Sequence, residues 1–147
     1  FASTPPEEFE EVMGVNFRTP FFLTQSLLPY LAEGGRVVMI SSVAARLAYP
    51  SECVYALSKA ALEALVRQLA PLLGPRQITV NAVAPGFILP PPEGFEPHRE
   101  AELLGRIPLA RSGTEDDIVE AVLYLARASY VTGQVLAVDG GRTLTLG

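Results

Sequence analysis

An α/β fold with a doubly wound parallel sheet is predicted by three apolar, β-prone runs that alternate with segments of helix length. The runs cover residues 36–40, 78–83 and 134–138. Before the second lies an alanine- and leucine-rich stretch from Cys53 to Leu73, closed by Gly74-Pro75. Before the third, Thr114 with Asp117 forms a capping signal for a helix running to about Ala128. Strands separated by helices of this length pair in parallel through right-handed crossovers. The expected portion is three strands with flanking helices.

Each element follows from local chemistry. Thr4 is placed to cap a helix beginning at Pro5, with Glu7 completing a capping box. That helix bends or breaks near Asn16, resumes from Pro20 to Leu31 and ends at Gly34-Gly35. The strand at 36–40 then ends in Ser41 and Ser42, two hydroxyls where a loop should begin. After the strand at 78–83, Pro85-Gly86 forms a turn. Residues 87–98 are the main irregular insertion, proline-rich and stiff.

Composition narrows the function classes. Hydrophobic residues make up 49% and charged residues 18% of the 147, which places the chain with globular proteins and against disorder. A formal net charge of −5 supplies no basic stripe to neutralise phosphates, so nucleic acid is not an expected partner. No apolar run reaches the roughly eighteen residues of a membrane span. Cys53 is the single cysteine; it excludes an internal disulfide, fits a reducing, cytoplasmic compartment and reads as packing or cleft lining near Tyr55 rather than as a nucleophile. His98, the one histidine, reads as a solvated helix-start residue, and no metal site is expected.

Three side chains suit chemistry at a carbonyl. Lys59 is the only lysine, and it follows Tyr55 by four residues in a helix, which stacks the two on one face. A phenol, with an ordinary pKa of about 10, exchanges protons poorly at neutral pH, and a nearby ammonium favours its charged form. Such a pair alone is more often surface packing. Ser42 adds weight, because ligands of open α/β sheets bind at the carboxyl ends of strands.

The motifs Val15-Asn16, Ile40-Ser41-Ser42, Tyr55-x-x-x-Lys59, Asn81-Ala82-Val83-Ala84-Pro85-Gly86, Tyr130-Val131-Thr132-Gly133 and Val138-Asp139-Gly140-Gly141 occur in one order over nearly the whole chain. In that order and spacing the chain resembles the C-terminal part of a short-chain dehydrogenase/reductase. The resemblance implies that residues 1–147 are the C-terminal catalytic part of one Rossmann-like domain of roughly 250 residues, supplying the last three of its seven strands. It implies an NAD(P)(H)-dependent oxidoreductase that moves a hydride between nicotinamide and a small carbonyl or alcohol substrate. Tyr55 would be the general acid or base, and Lys59 would lower its pKa and hydrogen-bond the nicotinamide ribose. Ser42 would donate to the substrate oxygen, and Asn16 would hold a water linking Lys59 to solvent. Pro85 and Gly86 would let the backbone approach the nicotinamide, with the Ile88 backbone offered to its carboxamide. Phe87, Leu89 and Phe95 would form an apolar lid in a substrate loop over about 87–105. The cofactor would be NADP or NAD, with NADPH slightly preferred. A homo-oligomer, dimer or tetramer, would form through the alanine-rich face of the Tyr55 helix and the Phe21-Phe22 helix.

Two departures shape the expectation. Pro90 stands where many members of the family carry a threonine that touches the cofactor, so that contact is lost or replaced. No glycine-rich phosphate turn follows a strand, and the chain opens on Phe1; both imply an N-terminal half in the parent protein, which would also hold the residues that discriminate NAD from NADP. The first strand would then lack its usual neighbour and present an apolar edge. Two other readings stand beside the first. The stretches 107–118 and 130–142 resemble both ketoacyl-carrier-protein reductase-like and bacterial pteridine reductase-like members, and the proline-rich segment leans towards the latter, although many pteridine reductases carry aspartate where Ser42 stands. A catalytically silent fragment or assembly module is the reading of a different class.

Overall fold

The computed structural model describes residues 1–88 and 97–145. Strands β1 (Arg36–Ile40), β2 (Thr79–Pro85) and β3 (Val135–Val138) form one parallel sheet in the order β1-β2-β3. The register pairs Val37 with Val80, Met39 with Ala82 and Ile40 with Val83. Ser41 extends the pairing beyond β1, its N–H donating to the Val83 carbonyl at 2.7 Å. The carboxyl ends of β1 and β2 therefore lie side by side.

Strand alternation divides the core into two layers. Val37, Met39, Val80 and Ala82 face the helix α3 (Cys53–Leu73) and pack with its Leu62, Leu65, Val66 and Leu73. Phe17 and Phe21, from the N-terminal helical segment, close the same layer. On the opposite face Val38, Val83 and Val138 meet Ala121 and Leu125 of a helix at Glu115–Arg127. Burial of each such Leu or Val contributes about 1.5–3 kcal/mol, so α3 is held to the sheet mainly by this apolar stripe.

The crossovers correct one expectation. The strand order is sequential, yet the helices after β1 and after β2 cover opposite faces. The two connections therefore have opposite hands, and only one is right-handed. The handedness rule concerns a strand feeding almost directly into its crossover helix; after β2, residues 86–114 intervene, including the helix α4 (Pro97–Gly105). That helix also means that the end of the expected 87–105 substrate loop is regular structure. Leu89, Pro90 and Phe95 lie outside the described residues.

The N-terminal segment is α1 (Pro6–Met13), a π-helical stretch Gly14–Arg18 and α2 (Thr19–Leu27), followed by a 3-10 turn Leu28–Tyr30. The expected interruption near Asn16 is thus a widened turn within a continuous helix. Pro20 has no N–H to offer the Asn16 carbonyl and its ring crowds that carbonyl, while the Thr19 N–H reaches back to Gly14. The Thr4 cap does not form. The helix starts one residue later than expected, with Pro5 at the cap position and no side-chain cap bond.

The last helix, α5 (Glu115–Arg127), has the expected capping box: the Thr114 N–H donates to Asp117 Oδ2 at 2.8 Å, and the Asp117 N–H to Thr114 Oγ1 at 3.4 Å. Arg111 adds a two-pronged contact to Asp117 at 2.9 and 3.1 Å. The Arg111 guanidinium, and then the Thr114 amide, hold the Asp117 carboxyl well below its ordinary range. This contribution to stability is complete above the ordinary carboxylate pKa and is lost as pH falls towards the depressed one.

Asn81 ties β2 to the segment entering β3. It is fully buried in β2; its Nδ2 donates to the Val131 carbonyl at 2.7 Å and its Oδ1 accepts from the Gln134 N–H at 3.0 Å. Asn81→Ala would strand two buried polar groups and is expected to cost about 2–4 kcal/mol, read by denaturant unfolding of the full-length protein. A loss below about 0.5 kcal/mol, typical of an uninvolved surface site, would contradict this role.

The outer edge of β1 has no partner among the described strands, and Ile40 on it is 45% exposed. A polypeptide of these 147 residues alone is expected to pair or aggregate through this edge. Light scattering across a concentration series checks this; a monodisperse monomer at high concentration is the contrary result.

Candidate active site

The site grows from the carboxyl end of β1. Ser42 is extended (φ −160°, ψ 152°) and caps the 3-10 turn Val43–Ala45, its Oγ accepting from the Ala44 N–H at 3.1 Å. That turn, with Val43 and Ala44 buried, packs against α3. Tyr55 stands in the first turn of α3 and Lys59 one turn later, both partly buried. The Lys59 ammonium lies 5.7 Å from the Tyr55 ring centroid and donates to the Ile40 carbonyl at 3.0 Å. The expected stacking is present, but the described hydrogen bond of the lysine goes to the strand and not to the phenol. Burial lowers the Lys59 pKa from its ordinary value.

Asn16, from the widened turn, joins this end of the sheet. It lines a cleft of about 330 Å³ together with Val15, Leu23, Met39, Ile40 and Lys59. A carboxamide and an ammonium thus share one cavity at the strand end. A bridging water is the arrangement such a pair can support.

The loop after β2 reaches the same end. Gly86 donates its N–H to the Val138 carbonyl at 2.9 Å, and a Cβ there would stand 2.7 Å from both Cα and Cβ of Asp139. Close approach of the chain to itself therefore already requires glycine at this position. The Phe87 carbonyl accepts from the Gly113 N–H at 2.9 Å, and Ile88 bridges Gly113. Pro85, Gly86, Phe87 and Ile88 are accordingly anchored to β3 and to the start of α5. Asp139 is fixed in turn. Burial pushes its carboxyl up, but the Thr143 and Gly141 amides together pull it below its ordinary value. Gly141 has φ +88° and abuts Pro108, so the Asp139-Gly140-Gly141 run is a structural turn.

The Lys59 ammonium thus reaches the end of β1 with the Tyr55 ring beside it, and Ser42 follows Ile40 by two residues. A family model described as enoyl-(acyl carrier protein) reductase matches residues 1–143. The chain belongs to the short-chain dehydrogenase/reductase family.

Relatives within the family have named activities. The chain is 40% identical over 140 residues to the 3-oxoacyl-[acyl-carrier-protein] reductase FabG of Thermotoga maritima, covering 92% of this chain and 57% of the relative. It is 41% identical to the granaticin polyketide synthase putative ketoacyl reductase 2 of Streptomyces violaceoruber, covering 97% and 59%. Among solved structures it is similar to the angucycline C-6 ketoreductase LanV with bound NADP, at TM-score 0.92 and 34% identity over 97% of this chain and 57% of that one. It is also similar to a blue fluorescent protein from a metagenomic library in complex with NADPH, at TM-score 0.87 and 36% identity, covering 97% and 59%. The chain therefore spans somewhat more than half the length of the short-chain dehydrogenases/reductases it matches. No described helix is long and apolar enough to cross a membrane.

The residues present fit the nicotinamide end of a dinucleotide. An ammonium has three donors; the Ile40 carbonyl takes one of those of Lys59, and a ribose hydroxyl suits the others. The sequence contains no glycine-rich phosphate turn, so the fit extends to that end alone. Not foreseen from the sequence is a polar cluster beneath Ser42, in which buried Ser41 and Glu63 meet the more exposed Arg46. One signal was available: Glu63 is a lone charge in the apolar run Ala60-Ala61-Leu62-Glu63-Ala64-Leu65, on the Tyr55–Lys59 face.

Gly86→Ala is expected to force the β2–β3 strand ends apart and to cost about 1–3 kcal/mol. A thermal melt of the full-length variant reads this, and an unchanged transition would mean that the turn yields easily.

Proposed function

We propose that the full-length protein is an NADP(H)- or NAD(H)-dependent oxidoreductase acting on a small ketone or secondary alcohol, with Tyr55 as its general acid and base. The observation that carries this reading is the Lys59 ammonium anchored on the Ile40 carbonyl beside the Tyr55 ring, two residues before Ser42 in the chain. In reduction the Tyr55 phenol gives its proton to the substrate oxygen; in oxidation it takes that proton back. Ser42 donates a hydrogen bond to the same oxygen, where negative charge grows towards the transition state. Lys59 and Tyr55 hold the nicotinamide ribose, and Asn16 holds the water that passes protons between Lys59 and solvent. Their shared cleft supports this role for Asn16. Pro85, Gly86 and the Ile88 backbone flank the nicotinamide, while Phe87 borders the substrate. When bound, the nicotinamide supplies or accepts the hydride.

The relatives favour a carbonyl substrate over a pterin, since they include 3-oxoacyl and polyketide ketoreductases. NADP is the favoured cofactor because LanV was solved with NADP and the fluorescent protein with NADPH. A cytoplasmic homodimer or homotetramer is the favoured setting. Apolar side chains on the α2 face support assembly: Phe22, Leu23 and Leu27 are all exposed. The lone cysteine is consistent with a reducing compartment.

Tyr55→Phe in the full-length protein removes the phenol hydroxyl, and with it the proton and one ribose contact. Reduction of ethyl acetoacetate, followed through NADPH absorbance, is expected to fall at least about 100-fold, the lower range of general acid–base contributions. NADPH affinity, followed by its fluorescence, is expected to stay within about threefold, as for loss of a single weak contact. Retained turnover would overturn the role given to Tyr55.

A further inference from the structure

Beneath Ser42 a single carboxylate holds both ends of the segment that carries this serine. Glu63 is on α3, one turn after Lys59 and two after Tyr55, and is 6% exposed. Its Oε1 accepts from Ser41 Oγ at 3.2 Å, immediately before Ser42. Its Oε2 meets Arg46 Nε at 3.4 Å, immediately after the turn Val43–Ala45. Arg46 Nη2 in turn donates to the Val135 carbonyl at 3.3 Å, which ties the segment to the start of β3. Ser41 Oγ also lies 3.4 Å from the Lys59 carbonyl, and its one proton favours the charged acceptor, Glu63.

A buried carboxylate is costly unless paired, and apolar replacements often serve stability as well. Stability therefore gives little reason for a charge here. The geometry gives another. The two oxygens of Glu63 bracket residues 41–46, and its backbone belongs to the helix that carries the phenol and ammonium. Besides the packing of the Val43–Ala45 turn on α3 and the Lys59–Ile40 bond, this one side chain ties the segment that carries Ser42 to the helix that carries Tyr55 and Lys59. We propose that Glu63 is a positioning residue, acting through Ser41 and Arg46 to hold the Ser42 hydroxyl where the substrate oxygen meets Tyr55. This rests on the roles proposed above for Ser42 and Tyr55.

A double-mutant cycle separates positioning from mere support of the fold. In the full-length protein, Glu63→Ala is expected to lower kcat for ethyl acetoacetate about 10-fold, below the loss of about 100-fold that a small misplacement of a catalytic group can cause. In a Ser42→Ala background the same substitution is expected to change kcat by less than about twofold, because the group it positions is gone. NADPH affinity by fluorescence is expected to be unchanged by either route, and hydrogen exchange is expected to rise in residues 41–46 while α3 stays protected. Should the alanine variant fail to fold, Glu63→Gln keeps the size and one acceptor, and Arg46→Met breaks the other contact; each is subjected to the same cycle. Equal losses in both backgrounds would overturn the positioning role and leave Glu63 as part of the scaffold. An undiminished kcat in Ser42→Ala itself would count instead against the proposed function.

Discussion

The bond from Lys59 to the Ile40 carbonyl joins the two elements on which the site depends, the long helix α3 and the end of strand β1. Its energy is that of one charge-assisted hydrogen bond. Its consequence is larger, because it exists only while α3 lies in register along the sheet. That register comes from apolar packing: Leu62, Leu65, Val66 and Leu73 lock onto Met39, Val80 and Ala82. A shift of α3 by one residue would rotate Tyr55 and Lys59 by about 100° away from the strand end. Core packing and site geometry are therefore one constraint.

Parallel pairing completes the arrangement. With Ile40 opposite Val83, the segments leaving β1 and β2 begin at the same level, and Ser42 and Gly86 enter one region from two strands. Asn81 and Gly86 serve this from within: the first fastens β2 to the chain approaching β3, the second lets the strand ends close on Asp139. Family motifs that suggest cofactor contacts thus also have a purely internal reason to exist. The cleft beside Asn16 has a similar double origin, since Pro20 widens the helix and the widened turn delivers the carboxamide.

Much of this was legible in the sequence, for identifiable reasons. Strand β1 followed from an apolar run between a glycine pair and two serines, and α3 from its composition and the Gly74-Pro75 stop. Tyr55 and Lys59 were legible because a spacing of four has one meaning on a helix. What escaped was set by contacts distant in sequence. The opposite hands of the two crossovers depend on which sheet face was still uncovered, which local pattern does not encode. The absent Thr4 cap turned on a one-residue shift of the helix start, with two adjacent prolines each suited to it. Glu63 was visible as an anomaly, but its partners, Ser41 and Arg46, are 22 and 17 residues away in sequence.

In the proposed reaction the Tyr55 constellation handles the proton while a nicotinamide handles the hydride. The most direct measurement is the fate of deuterium from NADPH labelled at the transferable ring position, using the full-length protein and ethyl acetoacetate. One deuterium is expected on the carbinol carbon of the product alcohol. Conversion of the ketone with no label at that carbon would contradict it.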